Sequence, residues 1–195
     1  MALLRAVSAS DLGPVIESEL VILRTPQMSD YSAWAELRAQ SREFLTPWEP
    51  LWATDELSRA SFRRRVRHYL RDLREDVGYA LFIFAVSTRT MVGGLTLCNV
   101  RRGVTQSCML GYWIGAKFAN RGYMTAALST VIPFVFDSLE LHRLEAACLP
   151  SNTASIRLLE RAGFKREGLA RRYLRINGEW QDHLLYALLD SDTGR

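Results

Sequence analysis

The chain has 195 residues, of which 48% are hydrophobic and 24% charged, and its formal net charge is +4. This length and balance fit one folded domain and exclude an intrinsically disordered chain. No apolar run reaches the roughly 20 residues of a membrane-spanning helix, and the start of the chain is too weakly apolar for a secretory signal. We therefore expect a cytoplasmic protein with no membrane partner and one domain over residues 1–195, of which 1–18 are an N-terminal extension.

The cysteine content and the net charge indicate which kinds of protein and which partners are compatible with the sequence. Cys98, Cys108 and Cys148 are odd in number and show no CxxC spacing, so neither a disulfide framework nor a zinc site is indicated. We expect no metal. The positive charge favours anionic partners such as phosphates, nucleic acid or an acidic protein surface, and a basic surface without such a partner is equally compatible with it.

The first half of the chain predicts one strand and two helices. The stretch ELVILRT (19–25) is typical of a strand. The segment 29–40, with Ser29 as a plausible N-cap, and the segment 54–76, with apolar residues at helical spacing, are predicted as helices. Between them, FLTPWEPLW (44–52) contains two prolines and cannot form a regular helix.

In the second half of the chain, the spacing of the apolar residues changes from the two-residue period of strands to helical spacing and back. The dipeptide Asn177-Gly178 is a strong hairpin signal between the last two strands. The predicted order is β-α-α-β-β-β-α-β-α-β-β, an α/β fold with a mixed, mostly antiparallel central sheet of about seven strands and four helices. The remaining strands are predicted at 79–87, 91–100, 105–115, 142–149, 164–176 and 179–189, and the helices at 122–138, interrupted by Pro133, and 152–162.

The start of the third helix, KFANRGYMTAAL (117–128), carries a chemical signal. Gly122 opens this helix after a long apolar strand that ends in GYWIG, and Arg121 adds a positive charge. A helix N-terminus presents unpaired N–H groups and partial positive charge, which attract phosphate. An anion site is therefore predicted here, and an ordinary strand-to-helix turn explains the pattern equally well.

Several motifs together resemble a known family. PSNTASIRLLERAGF (150–164), placed after a strand and about thirty residues beyond the glycine loop, resembles a signature of the GCN5-related N-acetyltransferase (GNAT) superfamily. FLTPWEP, GYWIG, HRLEA and REGLARRYLRINGEWQDHLLYAL resemble its RimJ/RimL branch of ribosomal-protein alanine N-acetyltransferases. The family's loop pattern is Gln/Arg-x-x-Gly-x-Gly/Ala, and only its central glycine, Gly122, is present here; Ala119 and Met124 depart from it.

The resemblance implies transfer of acetyl from acetyl-CoA to a primary amine, by direct attack within a ternary complex. The strand LGYWIG would bind the pantetheine arm through its backbone and offer one N–H to the thioester oxygen. The loop would hold the pyrophosphate, and Asn152 aligns with a family asparagine that contacts CoA. The cofactor-binding residues implied in this way are Tyr112, Trp113, Ile114, Ala119, Asn120, Arg121, Gly122, Tyr123, Met124, Thr125 and Asn152.

Two helix positions have a structural explanation beside the functional one. Ser155 shares a helix face with Leu158, Leu159 and Ala162, so it should point inward, where its hydroxyl can donate to the departing thiolate. A buried serine bonded to its own backbone is equally compatible with the pattern. Asn152 is also a favoured helix N-cap.

The general base is not fixed by any motif. Glu145, on the strand that leads to Asn152, and Glu49, in PWEP, are the candidates. An α-amine with a pKa near 8 is about one-tenth neutral at pH 7, whereas a lysine with a pKa of about 10.4 is almost entirely protonated. An N-terminal acceptor therefore needs only a weak base or a water chain.

The expected acceptor is the N-terminal α-amine of a protein such as a ribosomal protein. Glu49 is expected to attract this amine at an entrance stiffened by Pro47 and Pro50, or else to form a weak surface ion pair. The alternatives are acetylation of a small amine, and a binding module that places its arginine-rich helix (RRRVRHYLRDLR) on ribosomal RNA. That helix more simply has a solvated arginine face. Either a monomer or a dimer is compatible with the sequence.

Overall fold

A single mixed sheet organises the chain. The computed structural model describes residues 13–194, in which eight strands lie in the order β1-β2-β3-β4-β5-β6-β8-β7. The strands are β1 (Val15–Glu17), β2 (Val21–Arg24), β3 (Gly78–Ala85), β4 (Met91–Arg101), β5 (Ser107–Ile114), β6 (Arg143–Cys148), β7 (Lys165–Ile176) and β8 (Glu179–Leu189).

Helices cover both faces of the sheet. A small cluster, with Trp34 and Phe62 packed on Phe82, joins α1 and α3 to one face. The main core, which includes Leu128 and Leu159, lies under α4 and α5 on the other face. The helices are α1 (Tyr31–Gln40), α2 (Arg42–Leu45), α3 (Arg59–Arg74), α4 (Tyr123–Pro133) and α5 (Thr153–Arg161).

Local sequence explains where these elements begin and end. Ser58 caps α3 by accepting a hydrogen bond from the Ser61 amide at 3.0 Å. Asn177 and Gly178 take φ values of 45° and 87°, as a two-residue type I′ hairpin turn requires, so the predicted hairpin between β7 and β8 is present. After Pro133, which lacks an N–H, α4 gives way to a π-helical turn over Phe134–Ser138.

The predicted fold class is confirmed, and the element count differs slightly. The described residues contain eight strands and five α-helices instead of about seven and four. Strand β1, at Val15–Glu17, lies within the segment predicted as an N-terminal extension; residues 1–12 lie outside the described part of the chain. A three-residue strand and the four-residue α2 are too short to show a period, and β1 is held by its pairing with β2.

One strand pair differs in direction from the rest. Strands β5 and β6 are parallel, whereas the other pairs of the described sheet are antiparallel. Their register ends at Leu110 and Ala146, although β5 continues to Ile114 and β6 to Cys148. The two strands therefore diverge, and a gap opens in the middle of the sheet.

Glycines let β4 and β5 pack closely beside this gap. A Cβ atom on Gly93 would lie 2.4 Å from the backbone oxygen of Trp113. On Gly94 it would lie 2.5 Å from the Trp113 indole nitrogen. The indole therefore rests directly on β4 at Gly94, and the close approach of the two backbones depends on Gly93.

We expect Gly93→Ala to lower the free energy of unfolding by about 1–3 kcal/mol, because the new methyl group overpacks against backbone that cannot rotate away. Denaturant unfolding measures the change. Gly168→Ala is the matched control, since a Cβ at that strand position meets no atom within 4 Å. It should be neutral or stabilising by up to about 1 kcal/mol. Equal stability of the Gly93→Ala variant and the original protein would contradict this prediction.

Candidate active site

The gap between β5 and β6 exposes backbone hydrogen-bonding groups. The Gly115 amide donates to the Val92 carbonyl at 2.8 Å, which fixes the antiparallel hydrogen-bonding pattern between β4 and β5. Because this pattern alternates along a strand, Trp113 also directs its backbone groups towards β4. Tyr112 and Ile114 direct theirs the other way, into the gap. Residues 112 and 114 can therefore bond a ligand that lies between the strands.

A hydroxyl pair lies at the wall of this gap. Ser155 on α5 is buried, as its helix face predicts, and its Oγ shares a hydrogen bond with the hydroxyl of Tyr112. Burial raises the pKa of Tyr112, and the bond to Ser155 acts in the opposite direction. Burial likewise raises the pKa of the Cys148 thiol at the end of β6, and the neighbouring Ser155 hydroxyl acts in the opposite direction. All three groups are thus protonated at neutral pH.

Asn152 closes the N-terminus of α5. Its Oδ1 accepts a hydrogen bond from the Ser155 amide at 3.0 Å, so Asn152 is the N-cap of α5. The cap also fixes the first turn of the helix and, with it, the direction of the Ser155 side chain.

The N-terminus of α4 has no side-chain cap. Gly122 occupies the N-cap position with φ 82°, and Asn120 before it has φ 58°. The first intrahelical bond runs from the Ala126 amide to the Gly122 carbonyl at 2.9 Å. The N–H groups of Tyr123, Met124 and Thr125 therefore have no acceptor within the helix. Asn120, Arg121 and Gly122 are exposed, so an anion can reach these donors from solvent.

A cavity of about 330 Å³ lies on the opposite face of the sheet, between β5, α1, α3 and the segment that joins these helices. Indole rings supply much of its wall, and Gly111 and Tyr112 of β5 bring it to the gap. The tryptophans in this wall are Trp34, Trp52 and Trp113. This volume is at the lower end of the range for small-ligand pockets, about 300–1,000 Å³.

A buried arginine organises the cavity wall. The side chain of Arg38 is 8% exposed and binds Glu49 in a bidentate ion pair, at 3.0 and 2.6 Å. Its guanidinium carbon lies 4.5 Å from the ring centroid of Trp52 and 5.1 Å from that of Trp113. Trp52 also donates from its indole nitrogen to Glu49 at 2.8 Å. Glu49 is therefore a partly buried carboxylate that accepts three hydrogen bonds, and the expectation of a weak surface ion pair is wrong.

The structure does not bring Glu145 to the cavity wall. Glu145 lies on β6, where its carboxylate accepts from Arg143 at 2.7 Å. Arg143 also binds Glu167 of β7 through two further hydrogen bonds. Glu145 and Cys148 are three residues apart on β6, so their side chains lie on opposite faces of the sheet. Glu145 therefore faces away from the hydroxyl pair.

Two features of the site were not predicted from the sequence. Tyr112 was predicted as a backbone contact, and the role of its hydroxyl as the partner of Ser155 depends on a neighbour 43 residues away. Arg38 was missed although a signal exists: it falls at i+4 from Trp34 and i+1 from Leu37, within the buried stripe of α1. An arginine on an apolar stripe indicates a buried charge, and such a charge requires a carboxylate partner.

Between residues 13 and 194, no helix is long and apolar enough to cross a membrane. Within the same range, no group of three or more histidine, cysteine, aspartate or glutamate side chains is placed to hold a metal ion.

Comparison with known proteins identifies the family. Residues 21–165 match the domain family described as "Acetyltransferase (GNAT) domain". A probable N-acetyltransferase of Bacillus subtilis is 32% identical over 178 residues, which cover 91% of this chain and 98% of that protein. The [ribosomal protein uS5]-alanine N-acetyltransferase of Escherichia coli is 34% identical over 165 residues, which cover 84% of this chain and 85% of that enzyme.

A solved structure agrees with the sequence matches. Mycobacterium smegmatis RimJ in complex with CoA-disulfide superimposes with a TM-score of 0.86 at 32% identity, and the match covers 94% of this chain and 89% of that one. The chain therefore belongs to the GNAT superfamily of acetyl-CoA-dependent N-acetyltransferases and, within it, to the RimJ/RimL-like branch.

Proposed function

We propose that this N-acetyltransferase modifies the N-terminal α-amine of a protein, such as a ribosomal protein. The observation that carries the proposal is the juxtaposition at Tyr112. On one side, the β5–β6 gap and two helix N-termini suit acetyl-CoA; on the other, a tryptophan-walled cavity suits an entering chain. Similarity to the Escherichia coli enzyme, which is named for the alanine of ribosomal protein uS5, supports the choice of acceptor.

The residues at the gap fit acetyl-CoA, the source of the activated acetyl thioester. The uncapped amides of Tyr123, Met124 and Thr125 suit the pyrophosphate, with Arg121 adding positive charge beside them. The loop pattern of the family is incomplete in this chain, but backbone N–H groups, rather than the side chains of Ala119 or Met124, do the binding. Asn120 completes the loop through its left-handed conformation.

Strand β5 would bind the pantetheine arm and the thioester. Backbone groups of Tyr112 and Ile114 point into the gap, and one of their N–H groups stabilises the negative charge that develops on the thioester oxygen. Trp113 between them faces the opposite way and forms part of the acceptor wall. Asn152 would contact CoA in addition to capping α5.

The hydroxyl pair would complete acetyl transfer. As the nitrogen–carbon bond forms and the carbon–sulfur bond breaks, Ser155 donates its proton to the leaving thiolate. Tyr112 replaces that proton along their hydrogen bond and regains one from the water that takes up the proton of the amine. Both groups are protonated at neutral pH, so the pair is ready to act as a general acid.

Glu49 would hold the acceptor amine before it loses its proton. A carboxylate has about four acceptor positions, and Arg38 and Trp52 use three of those on Glu49. One position remains for an incoming ammonium group. Because Glu145 lies off the cavity wall, we give the proton-accepting step to water. About one-tenth of an α-amine is already neutral at pH 7, so a stronger base is not needed.

The phosphate assignment is tested at Gly122. We expect Gly122→Glu to weaken acetyl-CoA binding by about tenfold or more, because it places an anion beside the pyrophosphate and opposes the left-handed backbone. Gly122→Asn is the matched control: asparagine tolerates this conformation and is uncharged, so affinity should stay within about threefold. Calorimetry measures both. Unchanged affinity of the glutamate variant would remove the assignment.

The role of the hydroxyl pair is tested with Ser155→Ala and Tyr112→Phe. Each should lower kcat by about tenfold or more with little change in the KM for acetyl-CoA, since the proton is needed only as the thiolate leaves. Ser151→Ala, at an exposed serine just before α5, is the control and should behave like the original protein. A lower melting temperature with intact kinetics in both variants would assign the pair a purely structural role.

The acceptor class is tested with paired peptides. A peptide that starts with alanine or serine should be acetylated, and the same peptide with a blocked N-terminus and a free lysine should have a kcat/KM about 100-fold lower, because so little lysine is neutral. Mass spectrometry locates the acetyl group. Efficient acetylation of the blocked peptide would favour a lysine acceptor, and turnover of small amines alone would favour the small-amine alternative.

A further inference from the structure

Most glycines near the site are required by the fold. A Cβ on Gly93 or Gly94 would collide with Trp113, and one on Gly115 would lie 2.4 Å from Leu37 of α1. These positions need a glycine because backbone or a packed side chain occupies the space that a Cβ would fill.

Gly111 has no such requirement. A Cβ built on it would meet no atom within 4 Å, and its φ is outside the left-handed region. The register between β4 and β5 runs unbroken past it, through the pair Thr96–Gly111, so there is no bulge. Gly168 is equally open, but it lies at a register shift between β7 and β8. Among the described strand glycines, Gly111 is thus the one that neither packing, backbone angle nor register explains.

The location of Gly111 offers another explanation. It is the first residue of β5 after the last pair with β6, Leu110–Ala146, so it lies where the gap begins. It is exposed, and it lines the cavity together with Thr96 and Tyr112. A glycine inside a strand often marks a place where a ligand approaches the backbone closely. Because no side chain covers Gly111, the cavity is open at this point to the backbone groups of Tyr112 in the gap.

We propose that the acceptor amine reaches the thioester through the open space over Gly111. We also propose that this space limits the size of the acceptor's first residue. This inference rests on the proposed function and adds its specificity determinant. The α-carbon and side chain of the first residue lie over Gly111, in the space that a side chain at this position would fill. An acceptor with a small first residue is selected by this close approach.

The test replaces Gly111 with alanine and with valine. Valine suits a strand, so the variant should fold with an unchanged or higher melting temperature. It should bind acetyl-CoA with unchanged affinity in calorimetry, yet lose about 100-fold in kcat/KM for an alanine-starting peptide, the effect of displacing a reacting group by about 1 Å. Gly168→Val, at an open position away from the cavity, is the control and should keep its full activity.

The alanine variant tests the size limit itself. Gly111→Ala should shift the preference of the enzyme from alanine-starting towards glycine-starting peptides by about tenfold, as expected for one methylene group in a fitted site. A valine variant that acetylates the alanine-starting peptide within about twofold of the original enzyme would overturn the proposal. If the original enzyme acetylates small amines but no peptide, the proposed function fails, and size discrimination is then read with methylamine and isopropylamine. In that case, the proposal for Gly111 would be overturned if neither Gly111→Ala nor Gly111→Val changed the preference of the enzyme between these two amines.

Discussion

The parallel pairing of β5 with β6 is the constraint on which the site depends. Parallel strands have their carboxyl ends at the same edge of the sheet, so α4 after β5 and α5 after β6 both begin there. The strands separate beyond Leu110 and Ala146, which leaves backbone groups of β5 without a strand partner at that same edge. Unpaired amides and two helix N-termini thus converge. Under the proposed function, a long anionic cosubstrate rich in amides would supply the hydrogen bonds that the sheet lacks there.

The wall of the tryptophan-lined cavity depends on a buried charge. Arg38 is taken out of water at a considerable cost, which its bidentate bond to Glu49 and the surrounding indole rings offset. This ion pair ties α1 to the segment that leads to α3. The β7–β8 hairpin joins the same unit, because the Asn177 amide donates to the Glu49 carbonyl at 2.9 Å. The wall of the cavity is therefore a connected structure rather than a loose loop, which keeps it aligned with β5.

Some of the site follows from local pattern and some does not. Gly122, Asn152 and Ser155 were predictable because a helix start, an N-cap and a helix face are properties of neighbouring residues. The hydrogen bond from Ser155 to Tyr112 and the ion pair of Arg38 link separate elements, so spacing along the chain does not show them. Glu49 and Glu145 looked alike as carboxylates near motifs, yet one lines the cavity and the other belongs to the Arg143 cluster.

The sequence by itself determined the order of the seven longer strands and four longer helices, the hairpin at Asn177-Gly178, the α/β class and the family. These depend on hydrophobic period, turn chemistry and motifs, which are local along the chain. Tertiary structure alone decided that β1 joins the sheet, that β5 and β6 part after four residue pairs, and which side of β5 meets the cavity. It also separated Gly111 from the other glycines, because whether a Cβ has room depends on atoms contributed by distant segments.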